Sequence, residues 1–389
     1  MQRNMIGAYG PWAAAIVGEK PARLSFRRRK WSKANLAAWR RAARKRLMDL
    51  LAQPDAGGTP RVTVRRQSTC DGLSVEELSW QLPYGPPTEA IFLKPQGATD
   101  RLPGILALHD HAGKKYFGWR KIARTSDDLH PLMVEHHEHY YQGTAWANEI
   151  ARRGYAVLVP DAFPFASRRV LIADVPEALH GLVPEAARAN LTDEEPENPE
   201  RIAVYNQWSA AHESIMAKSL FCAGTTWPGV FLSDDQRALD VLCARRDVDA
   251  KRVGCGGLSG GGMRTVFLGG TDPRIRCAVC VGLMTTWRDC LLNKSHTHTW
   301  MMYVPLLPRD LDFPEILGLR VPLPTMVLND REDQLFTLAE MERADAILKA
   351  VFRKAGAAER YRSSFHPGPH KFDRAMQAEA FDWFDKWLK

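Results

Sequence analysis

The stretch Arg252-Val-Gly-Cys-Gly-Gly-Leu-Ser-Gly-Gly-Gly-Met-Arg264 decides the reading of this chain. A hydrophobic strand-like run enters Gly257-Leu258-Ser259-Gly260-Gly261 and continues into a helical segment, the context of a nucleophile elbow. A serine on so tight a strand-to-helix turn needs small neighbours, because a side chain at 257 or 261 would meet the crossing backbone, and glycine relieves that crowding. The following helix places its positive end beneath the hydroxyl, where negative charge is favoured. Ser259 is therefore the candidate nucleophile.

A serine hydroxyl attacks only when a base takes its proton and a third group holds that base in place. Two downstream segments supply them. Asp330-Arg331-Glu332-Asp333 follows the strand-like Thr325 to Asn329, and Pro367-Gly368-Pro369-His370 follows Tyr361 to Phe365. The chain order is then serine, acid, histidine. Asp333 lies far enough past the strand for the loop to curl back toward an imidazole, with Asp330 as the alternative acid. His370 precedes a closing helix rich in Phe and Trp, with His366 as the alternative base. Oxyanion donors are expected from the amide of Gly260 and, after the run Leu108-His109-Asp110-His111-Ala112-Gly113, from that of His111. His109, His298 and Trp300 are candidates for the substrate pocket.

Around this centre, short buried-looking strands (104–108, 156–159, 253–255, 277–281 and 325–328) alternate with helical stretches, as a parallel sheet covered on both faces requires. They follow strand-like segments at 62–64, 78–82 and 90–93, which read as an antiparallel meander. Ser32 caps a helix to about Gln53, with Leu36, Trp39, Ala43, Leu47 and Leu50 on its apolar face. The expected division is an N-terminal helical extension over 1–60 and an α/β domain over 61–389. Within the latter, 162–232 is an insertion of lid-like character.

The chain has 389 residues, 45% hydrophobic and 25% charged, with a net charge of +8. Lys20 to Arg46 holds twelve Lys or Arg and no acid, so the remainder sums to −4. That basic segment reads as a solvated helix face rather than a nucleic-acid or membrane patch. The seven cysteines form an odd set, several of them inside apolar strands, and read as reduced thiols. No run reaches the ~20 apolar residues of a membrane span, and cytoplasmic residence is the expectation. The His-dense pieces carry no HExxH or carboxylate constellation, so no metal and no other cofactor are expected, and His136 to His139 read as a solvated helix face.

The segments LALHDHAG, DQRALDVLCARRDVDAKRVGCGGLSGGG, LNDREDQLF and PGPHKFD together resemble the α/β-hydrolase superfamily, and within it the dienelactone-hydrolase-like and acetyl-xylan-esterase-like branch, over about residues 75 to 389. The resemblance implies a mostly parallel sheet of about eight strands, a triad of Ser259, Asp333 and His370, and hydrolysis of a small-molecule ester. Dienelactone hydrolases proper carry a cysteine nucleophile where this chain has Ser259. Asp330 stands where many relatives have glycine. Competing readings are a prolyl-oligopeptidase-like peptidase and a non-catalytic binding protein on the same scaffold. Oligomeric state, a homo-oligomer included, is open.

Overall fold

The computed structural model describes residues 3–17 and 20–389. Nine strands form one sheet: β1 (Thr63–Cys70), β2 (Leu73–Trp80), β3 (Thr88–Pro95), β4 (Leu102–Ala107), β5 (Ala156–Pro160), β6 (Val248–Leu258), β7 (Ile275–Val281), β8 (Thr325–Asp330) and β9 (Tyr361–His366). Their spatial order is β1-β2-β3-β5-β4-β6-β7-β8-β9. The six strands from β5 to β9 in that order run parallel, and the meander β1–β3 joins antiparallel through β3 and β5. The sheet thus has one strand more than the expected eight.

Successive residues of the central strands point to opposite faces, and both faces are dry. In β4, Leu106 packs into the core layer that holds Leu239, Phe267 and Leu348, while Ile105 and Ala107 pack into the layer with Ile150, Met376 and Phe384. Continuous apolar strands follow from that two-sided burial. The chain leaves β4 for β5 on one side and returns to β6 on the other. The carboxyl ends of β4 and β6 therefore border a crevice where the winding reverses, the usual place for a ligand in an open α/β sheet.

The N-terminal helix spans Leu36–Leu51 and buries Trp39, Ala43, Leu47 and Leu51, with Leu50 at the margin. Its basic residues are less solvated than their sequence reads. Arg23 and Arg46 both pair with the buried Asp310, and Arg27 pairs with the buried Glu315. Arg40 and Arg44 donate to carbonyls of Val321 and Gly270, the latter near the end of the helix that follows Ser259, where a cation is favoured.

The segment after β5 forms short 3₁₀ turns between Ala166 and Asn190, then a long helix, Pro199–Cys222. Trp227 to Leu232 already belong to the helix Trp227–Ala244, which packs in the core. Residue 232 therefore lies inside a core helix rather than at the end of an insertion. All seven cysteines are free thiols. No helix among the described residues is long and apolar enough to cross a membrane.

Candidate active site

Ser259 sits between the last residue of β6 and the first of the helix Gly260–Thr271, at φ 56° and ψ −116°. A non-glycine residue in this region is strained and persists only where its surroundings over-determine it. Here the surroundings are visible. A Cβ at Gly257 would stand 2.1 Å from the carbonyl oxygen of Leu108, one at Gly261 2.0 Å from the same oxygen, and one at Gly260 2.8 Å from the amide nitrogen of His111. The elbow and the loop after β4 touch backbone to backbone, and only glycine permits it. The Ser259 amide is fixed by the carbonyl of Val281 at 2.9 Å.

Ser259 and His370 line one cavity of about 390 Å³, together with Leu258, Met263, Leu283 and Met302. His370 Nδ1 lies 2.7 Å from Asp333 Oδ2, and that carboxylate can only accept. The imidazole proton is thereby assigned to Nδ1, which leaves Nε2 as a free lone pair. Nε2 is buried and has no hydrogen-bond partner. No hydrogen bond joins it to Ser259 either.

The two aspartates of this loop differ sharply. Asp333 is anchored by the amide of Leu335 to Oδ1 at 2.9 Å and by the imidazole to Oδ2. Asp330, the last residue of β8, accepts one hydrogen bond, from the amide of Lys371 at 3.1 Å, and its Oδ1 has no partner. Burial pushes the Asp330 carboxyl up to about 7 despite that amide. Glu332 faces outward and accepts from the amide of Gly368. His366 is held by Glu379 at 3.0 Å, away from the cavity.

The amide nitrogen of His111 lies against Gly260, and the His111 ring is tied down as well. Its Nδ1 accepts from the amide of Gly113 at 3.0 Å, so Nε2 carries the proton and donates to Glu213 Oε1 at 2.7 Å. Lys115 donates to the same oxygen at 2.5 Å, while Thr299 Oγ1 and the amide of Trp300 donate to Oε2 at 2.7 and 3.1 Å. Burial alone would raise the Glu213 carboxyl. The His111 hydrogen bond and the Lys115 ammonium outweigh it and hold the group well below the usual carboxylate range. Glu213 thereby ties the long helix, the loop after β4 and the 299–300 turn into one wall.

Two sequence expectations change here. His109 is buried behind the cavity, with Nδ1 on the carbonyl of Asp110 and Nε2 accepting from the amide of Ala162. It does not line the pocket. Trp300 is 41% exposed: Glu213 holds its backbone, and the ring projects outward beside Tyr303. His298 does line the cavity, against Phe336, and burial pushes its pKa down to about 4, so its ring is neutral.

A third change concerns His136 and His137, which are buried rather than solvated. His136 Nε2 donates to Asp110 Oδ2 at 3.1 Å, and His137 Nε2 meets the carbonyl of Arg120. Among the described residues, the one cluster of His, Cys, Asp and Glu donor atoms within 4.8 Å of one another is Asp330, Asp333 and His370. That cluster contains the acid–imidazole pair itself.

Glu213, Asp110 and Lys121 were not singled out by sequence reasoning. A signal existed for Glu213: Tyr205, Trp208, His212 and Ala217 are buried at helical spacing, and this glutamate shares their face. A carboxylate on a buried stripe needs partners.

No protein-family model matches the chain. It is 25% identical over 349 residues to the protein named "Putative hydrolase YtaP" of Bacillus subtilis (strain 168), covering 89% of this chain and 98% of that one. Among solved structures it resembles a "putative acetyl xylan esterase" from Bacteroides fragilis NCTC 9343, with TM-score 0.64 and 14% identity over 93% of this chain and 83% of that one. It also resembles a glucuronoyl esterase from Solibacter usitatus, with TM-score 0.59 and 15% identity over 96% and 99%. With its six parallel strands, its antiparallel edge and its strained serine turn after β6, this chain has the α/β-hydrolase fold.

Proposed function

We propose that the chain is a serine hydrolase of carboxylic esters, acting on acetyl or similarly small acyl groups, including those carried by carbohydrates. Ser259 Oγ attacks the acyl carbonyl, and His370 Nε2 takes its proton and returns it to the leaving alkoxide. Asp333 stabilises the imidazolium, and the amides of Gly260 and His111 receive the oxyanion. Water then clears the acyl-enzyme with His370 again as base.

The observation that carries this reading is the imidazole: its proton is held on Nδ1 by Asp333 while Nε2 keeps a lone pair with no hydrogen-bond partner, in a residue that lines the same cavity as Ser259. The cavity volume and its Leu and Met lining suit a small uncharged acyl group. The esterase names of the similar structures support the reaction class. With p-nitrophenyl acetate the protein should release a burst of p-nitrophenol followed by steady turnover, and Ser259→Ala should lose both, with kcat down on the order of 10⁴-fold or more. Equal slow release by the two proteins would refute the assignment.

A further inference from the structure

Lys121 lies in the 3₁₀ turn Trp119–Lys121, eleven residues past Asp110, and its side chain is wholly buried. Its Nζ donates to the carbonyl oxygen of Asp110 at 2.9 Å and to that of His111 at 2.9 Å. It also stands 3.9 Å from Asp110 Oδ1 and 4.5 Å from the centroid of the Phe165 ring. A buried ammonium is costly unless its donors are used. Here the partners are two consecutive carbonyls of the loop that brings His111 to the elbow.

Peptide geometry turns this contact into a statement about the site. In a trans peptide the carbonyl and the N–H of one plane point in opposite directions. With the Asp110 carbonyl drawn to Lys121, the N–H of His111 must point the other way. Gly260 packs against that nitrogen, for a Cβ there would stand 2.8 Å from it, and His111, Ser259 and Gly260 line the same cavity. The next plane is held likewise, since the His111 carbonyl accepts from Lys121 and from the amide of Lys114 at 3.1 Å, while Ala112 takes a left-handed φ of 44°. No carbonyl or side chain among the described residues accepts from the His111 amide.

The flanking side chains do not replace this anchor. Asp110 is turned into the interior by His136 and by the Tyr141 hydroxyl at 2.5 Å, and the His111 ring is drawn to Glu213. These contacts fix side chains and not the peptide planes. The Asp110 carbonyl also accepts from His109 Nδ1 at 3.0 Å, but among the described side chains only Lys121 holds both this carbonyl and that of His111.

We propose that Lys121 is the positioning residue of the oxyanion hole: by holding the carbonyls of Asp110 and His111 it aims the His111 N–H at the acyl oxygen, without touching substrate. This rests on the ester-hydrolase reading above. A Lys121 that mattered only to folding would change stability alone, or kcat and KM together. A positioning role must weaken transition-state binding and spare ground-state binding.

The test compares Lys121→Met with the unaltered protein on p-nitrophenyl acetate, alongside inhibition by phenylboronic acid, whose serine adduct carries an oxygen in the oxyanion position. In folded protein, judged by a cooperative melt, kcat should fall about 10- to 100-fold with KM within twofold, in line with the weakening of one oxyanion donor. The boronate inhibition constant should rise by a similar factor. If Lys121→Met does not fold, Lys121→Gln, whose carboxamide falls one bond short of the carbonyls, carries the same expectation. An unchanged kcat and boronate affinity in a folded variant would overturn the inference, as would equal changes in kcat and KM. Ser259→Ala run in parallel separates the two claims: if it keeps turnover the hydrolase reading fails, and if it is inactive while the lysine variants are normal, only the present inference fails.

Discussion

The rim that carries Ser259 and His370 and the wall that carries Glu213 border the same cavity and are built on opposite principles. On the rim, polar valences are left open: His370 Nε2 and Asp330 Oδ1 have no partner. In the wall, Glu213 accepts four hydrogen bonds from two other segments of chain. Reactive groups must keep a lone pair available, whereas a buried charge that only supports them is stable when every valence is used. Substitution should therefore cost activity on the rim and stability in the wall.

The largest effect expected is on the rim. Asp333→Asn keeps the shape of the loop but no longer selects the tautomer with its proton on Nδ1, and kcat on p-nitrophenyl acetate should fall on the order of 10³- to 10⁴-fold with little change in melting temperature. A drop below tenfold would shift the acid role to Asp330 and erase the distinction between the two carboxylates.

Glu213→Gln tests the wall. It leaves the Lys115 ammonium, 3% exposed, without its counter-charge, and chemical denaturation at pH 7 should show a loss of about 3–5 kcal/mol. Because the Glu213 carboxyl is held below its unfolded value, its stabilisation is present above that value and is lost as pH falls. The unaltered protein should lose stability as pH drops below about 4.3, and the variant should lose less over the same range. Parallel acid profiles would show that the wall is not charge-stabilised.

The smallest effect has the opposite sign. Burial raises the Asp330 carboxyl to about 7, so the folded state binds a proton that the unfolded state has released between about pH 4 and 7. Stability contributed by that proton is lost as pH rises through 7. Asp330→Asn, which can still accept from the Lys371 amide, should stabilise the protein by about 2–4 kcal/mol at pH 8, with no gain at pH 3.5 and kcat within tenfold. Melting curves at the two pH values check it.

The same contrast explains what could be read from sequence. The elbow is dictated by backbone sterics, and sterics write themselves as glycines at 257, 260 and 261, so Ser259 was legible at once. The pairing of Asp333 with His370 was legible because both stand on loops just past neighbouring strand ends. The wall left weaker marks. His136 and Glu213 are polar residues whose burial depends on partners 26 and 102 positions away, Asp110 and His111, and no local pattern records such a distance. Trp300 misled for a related reason: an aromatic near a pocket histidine in sequence looks like lining, yet its amide is held by Glu213, a residue 87 positions away, and its ring is exposed outside the cavity. The extra strand and the pairing of the basic segment with Asp310 and Glu315 likewise depend on contacts that periodicity does not encode.

The stapling of that basic segment carries a consequence for biosynthesis. Arg46 meets Asp310 across 264 residues of chain. At roughly 5–20 residues per second a ribosome needs roughly 13–50 s to make that interval. For that time Arg46 of the helix 36–51 waits without its carboxylate, while Trp39 already has the Phe26 ring and the Leu24 carbonyl nearby in the chain, so an element made early is among the last to be fully seated.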